Sequence, residues 1–309
     1  MMKFFDLHCD TLFRALEEKS SLNNNDFHVS LDKGNKFLNW VQCFAVFIPD
    51  EYRNKMALDL FNKAFEKLNF EIGKSNGNIV LCKNSKDFNL KGNVCNAILT
   101  VEGGAVLGGD LSNLDYLHSL GVKMMTLTWN GKNEIGDGCG VEHPSKITDF
   151  GKKVLNKMED LNMIIDVSHA SDNLFFDVLE NTKKPFAASH SNSRKICNHR
   201  RNLTDEQFKY IKERKGIVGL NFCKDFLNSN KPCMYDILRH ADHFLSLGGE
   251  NVVSIGADFD GADMPYDIFG IQSIEDLYEL FLKEGYSETL LQKIFFDNAY
   301  NFFMKSCFN

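Results

Sequence analysis

Eight short runs of apolar, β-branched or aromatic residues recur along the chain, at 3–7, 41–48, 96–101, 123–128, 163–167, 186–189, 217–221 and 252–257. Between them lie stretches whose apolar residues return at helical spacing: 54–72, 149–161, 172–180, 205–215 and 234–247, followed by 273–284 and 287–304. Thr204-Asp205-Glu206-Gln207 and Ser287-Glu288-Thr289-Leu290 each offer a capping hydroxyl at a helix start. Strand and helix alternating about eight times predicts parallel strands joined by crossover helices. A closed TIM-type (β/α)8 barrel fits that count and the length of 309 residues, with a doubly wound open sheet as the competing α/β architecture. No Pro/Ser-rich linker divides the chain, so residues 1–309 are expected to form one domain. The longest irregular part, 20–39, is rich in Asn and Ser and reads as a surface loop.

A hydrophobic fraction of 43% supplies a full core, and the 27 Phe read as core filler. The formal charge of -7 argues against nucleic acid and anionic membranes as generic partners. No stretch has a signal-peptide pattern or approaches the roughly 20 apolar residues that span a bilayer. Nine Cys, scattered singly and odd in number, read as reduced thiols in a cytoplasmic protein.

Chemistry concentrates where the apolar runs end. The first ends in His8 and Asp10, two residues apart and so able to reach one point beyond an extended strand, with Cys9 facing the other way. The third ends in Glu102, the fifth in His169, the sixth in His190 and the eighth in Asp258. Each alone reads equally well as a turn, cap or satisfied core residue. Together they would converge at the C-terminal strand ends, the rim where parallel barrels build active sites. Imidazole and carboxylate suit zinc and other first-row metals. Three His and three carboxylates exceed the roughly three ligands of one open zinc site, which favours two metals with Glu102 as the shared carboxylate. Gly103 and Gly104 would leave room beside it. His28, His118, His240 and His243 read as ordinary surface or core residues, and Asp260 as a residue that orders its loop.

The motifs Asp6-Leu7-His8-Cys9-Asp10-Thr11, Val101-Glu102-Gly103-Gly104, Asp166-Val167-Ser168-His169, Ser189-His190-Ser191, His199-Arg200-Arg201-Asn202-Leu203 and Gly256-Ala257-Asp258-Phe259-Asp260-Gly261 occur in this order. In them the sequence resembles the membrane (renal) dipeptidase family of zinc metallopeptidases over nearly its whole length. The resemblance implies a barrel with two Zn2+, one on His8 and Asp10, the other on His169 and His190, bridged by Glu102. It implies that a bridging hydroxide attacks the peptide bond of a dipeptide, often with a D-residue tolerated at the C-terminal position. Arg201 matches the arginine that holds the terminal carboxylate, and Asp258 the carboxylate that handles the proton. A homodimer is implied as well.

One position departs from the animal branch, which carries His where this chain has Trp129. The Trp129-Asn130 pair is similar to a bacterial branch and is expected on the substrate side of the site, Trp129 as an apolar wall. His143, in the loop that follows, is a candidate stand-in that reads more simply as a solvated loop residue. Related hydrolases of amides, lactams or esters, and a non-catalytic metal-binding homologue, are the alternatives.

Overall fold

The computed structural model describes residues 2–308. Eight parallel strands close into a barrel: β1 (Phe4–Cys9), β2 (Trp40–Phe47), β4 (Cys95–Glu102), β5 (Val122–Thr126), β6 (Ile164–Asp166), β7 (Ala187–Ala188), β8 (Ile217–Leu220) and β9 (Val253–Ile255). Neighbours pair in that order, and β9 returns to β1. A further strand, β3 (Ile79–Leu81), has no counterpart among the eight predicted runs. It pairs with β4 at residues 95–97, while β5 pairs with β4 from Leu99 onward. The strands are buried along almost their full length, as expected of a parallel sheet covered on both faces.

The crossover helices follow the predicted stretches within a few residues, from Lys55–Lys74 to Met234–Ser246. Thr204 Oγ1 accepts a hydrogen bond from the Gln207 backbone amide, Gln207 Oε1 accepts one from the Thr204 backbone amide, and Ser287 accepts from Leu290. The predicted helix over 287–304 is instead a run of α, π and α turns, Glu288–Gln292, Lys293–Asp297 and Asn298–Cys307. Helices Thr11–Glu17 and Ser112–Leu120 were not expected from spacing, being short and only partly apolar.

The segment 20–39 is not a surface loop. Leu22, Phe27, Val29, Leu31 and Phe37 are buried in the main core, so a few apolar anchors outweigh its Asn- and Ser-rich composition. Asp260 ties it to the loop after β9, accepting from the His28 amide at 2.7 Å and from Thr11 Oγ1 at 2.5 Å. No helix among the described residues is long and apolar enough to cross a membrane.

Candidate active site

His8 lies in β1 and Glu102 ends β4, while Asp10, His169, His190 and Asp258 lie one to three residues beyond β1, β6, β7 and β9. The barrel brings all six side chains together, buried, at its C-terminal rim. His8 Nε2 is 3.3 Å from Asp10 Oδ2, 3.6 Å from Glu102 Oε2 and 3.9 Å from Asp258 Oδ1. On the other side of Glu102, Oε1 is 2.8 Å from His169 Nε2 and 3.5 Å from His190 Nε2. Glu102 thus offers one oxygen to each of two ligand groups.

Hydrogen bonds on the far ring nitrogens fix which way the imidazoles present their lone pairs. His169 Nδ1 lies 2.8 Å from Asn130 Oδ1, an acceptor, so Nδ1 carries the proton. Behind His190, Ser189 Oγ donates to Asp166 Oδ2 at 2.5 Å and so accepts from His190 Nδ1 at 2.8 Å. Asp166 also accepts from Thr126 Oγ1 and from the amides of Ser168 and Ser189, and these bonds together with His190 overcome its burial and keep it ionised. Both Nε2 atoms are therefore unprotonated, 3.0 Å apart, and both face a carboxylate oxygen. Burial holds His169 down at about 3 and lowers His190 too, so neither ring gains a proton near neutral pH. Lone pairs converging with no proton to share repel one another, and a cation removes that repulsion.

The other ligand group differs in charge: burial opposes a proton on His8, but the Glu102 and Asp10 carboxylates outweigh it and raise His8 well above its ordinary value. Asp10 Oδ1 is buried without a hydrogen-bond partner. Burial and the Glu102 charge push Asp10 up to about 7. Burial also opposes the charge on Glu102, but His8 leads the groups that outweigh it and hold the carboxyl well below its ordinary value. A Cβ on Gly261 would fall 2.0 Å from Asp10 Oδ2 and 2.8 Å from Asp258 Oδ1, so glycine there lets the chain pass beside two carboxylates. The donor set of imidazoles and carboxylates fits first-row divalent metals.

The local backbone is strained where these side chains project. His169, Asp258 and Asp260 have φ of 67°, 64° and 68°, in the left-handed region. The Asp258 amide donates to the His8 carbonyl at 3.1 Å, and the His169 carbonyl accepts from the Cys139 amide at 2.8 Å. Gly103 and Gly104 have a different reason from the one expected. Added Cβ atoms would meet Ile48, and Leu127 with Ile135, so the glycines serve close backbone packing and not space beside a metal.

Trp129 lines a cavity of about 400 Å3 above the cluster, and its ring packs edge-on against Phe47 with centroids 5.0 Å apart. Asn130 lines the same cavity, but its side-chain oxygen is committed to His169. Arg201 is buried beside Phe226, with its Cζ 5.4 Å from the ring centroid. Its Nη2 lies 3.4 Å from the His190 carbonyl and its Nε has no acceptor. His143 is exposed in its loop and is not among the residues lining that cavity.

Residues 1–305 match the membrane dipeptidase family, peptidase family M19. The chain belongs to that family. A Klebsiella pneumoniae protein, described as an uncharacterised protein in the pqqA 5′ region, is 30% identical over 241 residues, covering 74% of this chain and 89% of its own. Among solved structures, the family M19 metallopeptidase called dipeptidase AC is 27% identical, with a TM-score of 0.91 over 100% of this chain and 99% of its own. A Rhodobacter sphaeroides metallopeptidase bound to a phosphinate mimic of L-Ala-D-Ala is 25% identical, with a TM-score of 0.89 and 99% of both chains covered. These relationships make the chain a metallo-dipeptidase by family, with a metal site in keeping with its buried His and carboxylate groups.

One functional candidate escaped the sequence reading. Asn221, just past β8, donates from Nδ2 to Asp258 Oδ2 at 2.9 Å and to the His190 carbonyl at 3.2 Å. Its Oδ1 accepts from the Cys223 amide, which fixes the amide orientation. The signal was available: the seventh apolar run closes on a polar residue at the same rim. Neutral amides carry no metal-ligand signature, so it went unread.

Proposed function

We propose that this enzyme hydrolyses free dipeptides using two zinc ions, one held by His8 and Asp10, the other by His169 and His190, with Glu102 shared. The observation that carries the reading is the buried cluster around Glu102, whose one oxygen faces His8 and whose other faces the Nε2 atoms of His169 and His190, each ring oriented by a hydrogen bond on its Nδ1. Bound ions supply Lewis acidity toward the scissile carbonyl and lower the pKa of a water to near neutrality.

The chain's own groups do the rest. Asp258, one oxygen fixed by Asn221 and the other facing His8, takes the proton of the attacking water and returns it to the leaving amine. Arg201 has no ion-pair partner among the described residues, and a buried cation without one is costly. A substrate C-terminal carboxylate completes it through a bidentate pair. That anchor, against the His190 carbonyl beside the cluster, favours substrates whose C-terminal carboxylate lies close to the scissile bond. Tolerance of a D-residue at the anchored end rests on the L-Ala-D-Ala mimic in the Rhodobacter relative. A single domain, a homodimeric assembly and a cytoplasmic setting complete the proposal, the last supported by nine free cysteines of which eight are buried.

The test is turnover of a dipeptide library, L-L and L-D, by zinc-reconstituted protein, with each substrate also supplied C-terminally amidated. Amidation should lower kcat/KM at least about tenfold, the worth of a lost charged hydrogen bond. Amidated or longer peptides hydrolysed as fast as free dipeptides would falsify the dipeptidase reading.

A further inference from the structure

Three aromatic rings that take no part in metal binding form a continuous wall on one side of the cavity. Phe13, on the helix after β1, meets Phe47 edge-on at 5.3 Å; Phe47, the last residue of β2, meets Trp129 at 5.0 Å; Trp129 reaches the ring of His169 at 6.2 Å. All three line the cavity and are only partly buried, so apolar surface is left facing it. Phe13 also packs against the main core, whereas Phe47 and Trp129 are not part of it.

The circular order of the strands decides what meets this wall. Around the ring β1, β2, β4, β5, β6, β7, β8, β9, strand β2 stands four positions from β7 in either direction. Phe47 at the end of β2 is thus diametrically opposite β7, the strand whose following loop carries Arg201. Glu102 and the three imidazoles lie between. A dipeptide held by its carboxylate at Arg201, with the scissile carbonyl at the cluster, must extend its N-terminal residue toward β2.

We infer that Phe13, Phe47 and Trp129 form the subsite for the N-terminal side chain and select bulky apolar residues there. The inference rests on the dipeptidase reading and on Arg201 as its anchor. Trp129, nearest His169, meets the first carbons of the side chain, and Phe47 meets its far end. An edge-on aromatic cluster offers CH edges and a ring face to an aliphatic or aromatic group and no partner to a charge. An aspartate or glutamate side chain placed there loses its water and finds no cation or hydrogen-bond donor on the rings, so acidic N-terminal residues are rejected.

The experiment compares kcat/KM of the zinc-loaded enzyme for X-Ala with X = Gly, Ala, Leu, Phe and Asp, and for Ala-X over the same set. Leu-Ala and Phe-Ala should exceed Gly-Ala by about tenfold to hundredfold, the range that an apolar pocket supplies, with Asp-Ala the poorest. Phe47→Ala should compress the Leu/Gly ratio to within a few-fold while leaving the Ala-X spread as it was. Should that variant fold poorly, Phe47→Leu keeps an apolar side chain and should lower Phe-Ala more than Leu-Ala. A flat X-Ala series in the wild type, or a Leu/Gly ratio that survives Phe47→Ala, overturns the subsite. Turnover of no dipeptide in either series overturns the dipeptidase reading and this inference with it.

Discussion

At the C-terminal rim of the barrel, three imidazoles and three carboxylates crowd into one buried cluster, whereas at the N-terminal rim the helix Asn298–Cys307 seals the strand starts with aromatic rings. Phe303 stands 5.3 Å from Phe5 of β1, and Phe302, Phe303 and Phe308 join Val41, Ile98, Ile164 and Ile217 in one apolar cluster. Asn298 pins the helix by donating to the Val253 carbonyl at 2.8 Å. Lys123, a charged side chain at that end, lies 5.0 Å from the Phe308 ring, and burial lowers its pKa. The same strands therefore begin in an apolar packing layer and end in a layer of buried ionisable groups on left-handed backbone, where burial and strain have a cost.

If that division holds, changes at the two rims should separate cleanly. The largest effect belongs to Glu102→Gln, which replaces the shared carboxylate with a neutral amide. Zinc content should fall at both positions and activity with it, whereas His8→Ala should lower one position mainly. Elemental analysis giving a full metal complement in Glu102→Gln would break the shared-ligand picture.

Next comes Asp258→Asn, expected to keep its metals and lose about 10²–10⁴ in kcat, as for other lost acid–base groups. Near-normal turnover in the fully metallated variant would remove Asp258 from proton transfer.

At the opposite rim, Phe303→Ala should cost about 3–5 kcal/mol of stability through the cavity it leaves. Urea unfolding would measure that loss, and kcat of the remaining folded enzyme should stay close to wild type. A collapse of kcat comparable to that of Asp258→Asn would show that the rims are not independent.

The smallest effect sharpens the comparison from within the catalytic end. His240 is a scaffold residue there: its Nδ1 accepts from the Ser193 amide at 3.0 Å and its Nε2 donates to the Leu227 carbonyl at 2.9 Å. Burial lowers its pKa to about 4, so it folds neutral. The unfolded chain binds a proton at this residue below its ordinary value of 6.5, which the folded chain resists. Its contribution is therefore complete above pH 6.5 and is lost as pH falls toward 4, roughly 3 kcal/mol in all. Stability measured at pH 7 and at pH 4.5 should differ less in His240→Gln than in wild type. An equal difference would show that His240 does not titrate with folding.

The sequence alone carried the eight-strand barrel, because each strand is a local apolar run and each crossover a local helical period. It also carried the cluster itself: His8, Asp10, Glu102, His169, His190 and Asp258 each sit at or just beyond the end of such a run, so position along the chain predicts position at the rim. What tertiary structure decided are relations between residues far apart in sequence. Strand β3 could not be read because its three residues pair only where β4 leaves an edge before β5 begins. Asn130 turned out to orient His169 across 39 residues, Asp166 holds Ser189, and through it His190, across 23, and Asn221 holds Asp258 across 37. Amides and hydroxyls of this kind occur throughout the chain, and only a partner brought within about 3 Å gives one of them a role. The aromatic wall is decided the same way: Phe13, Phe47 and Trp129 are three apolar residues in three separate segments until barrel closure sets β1, β2 and β5 around one cavity.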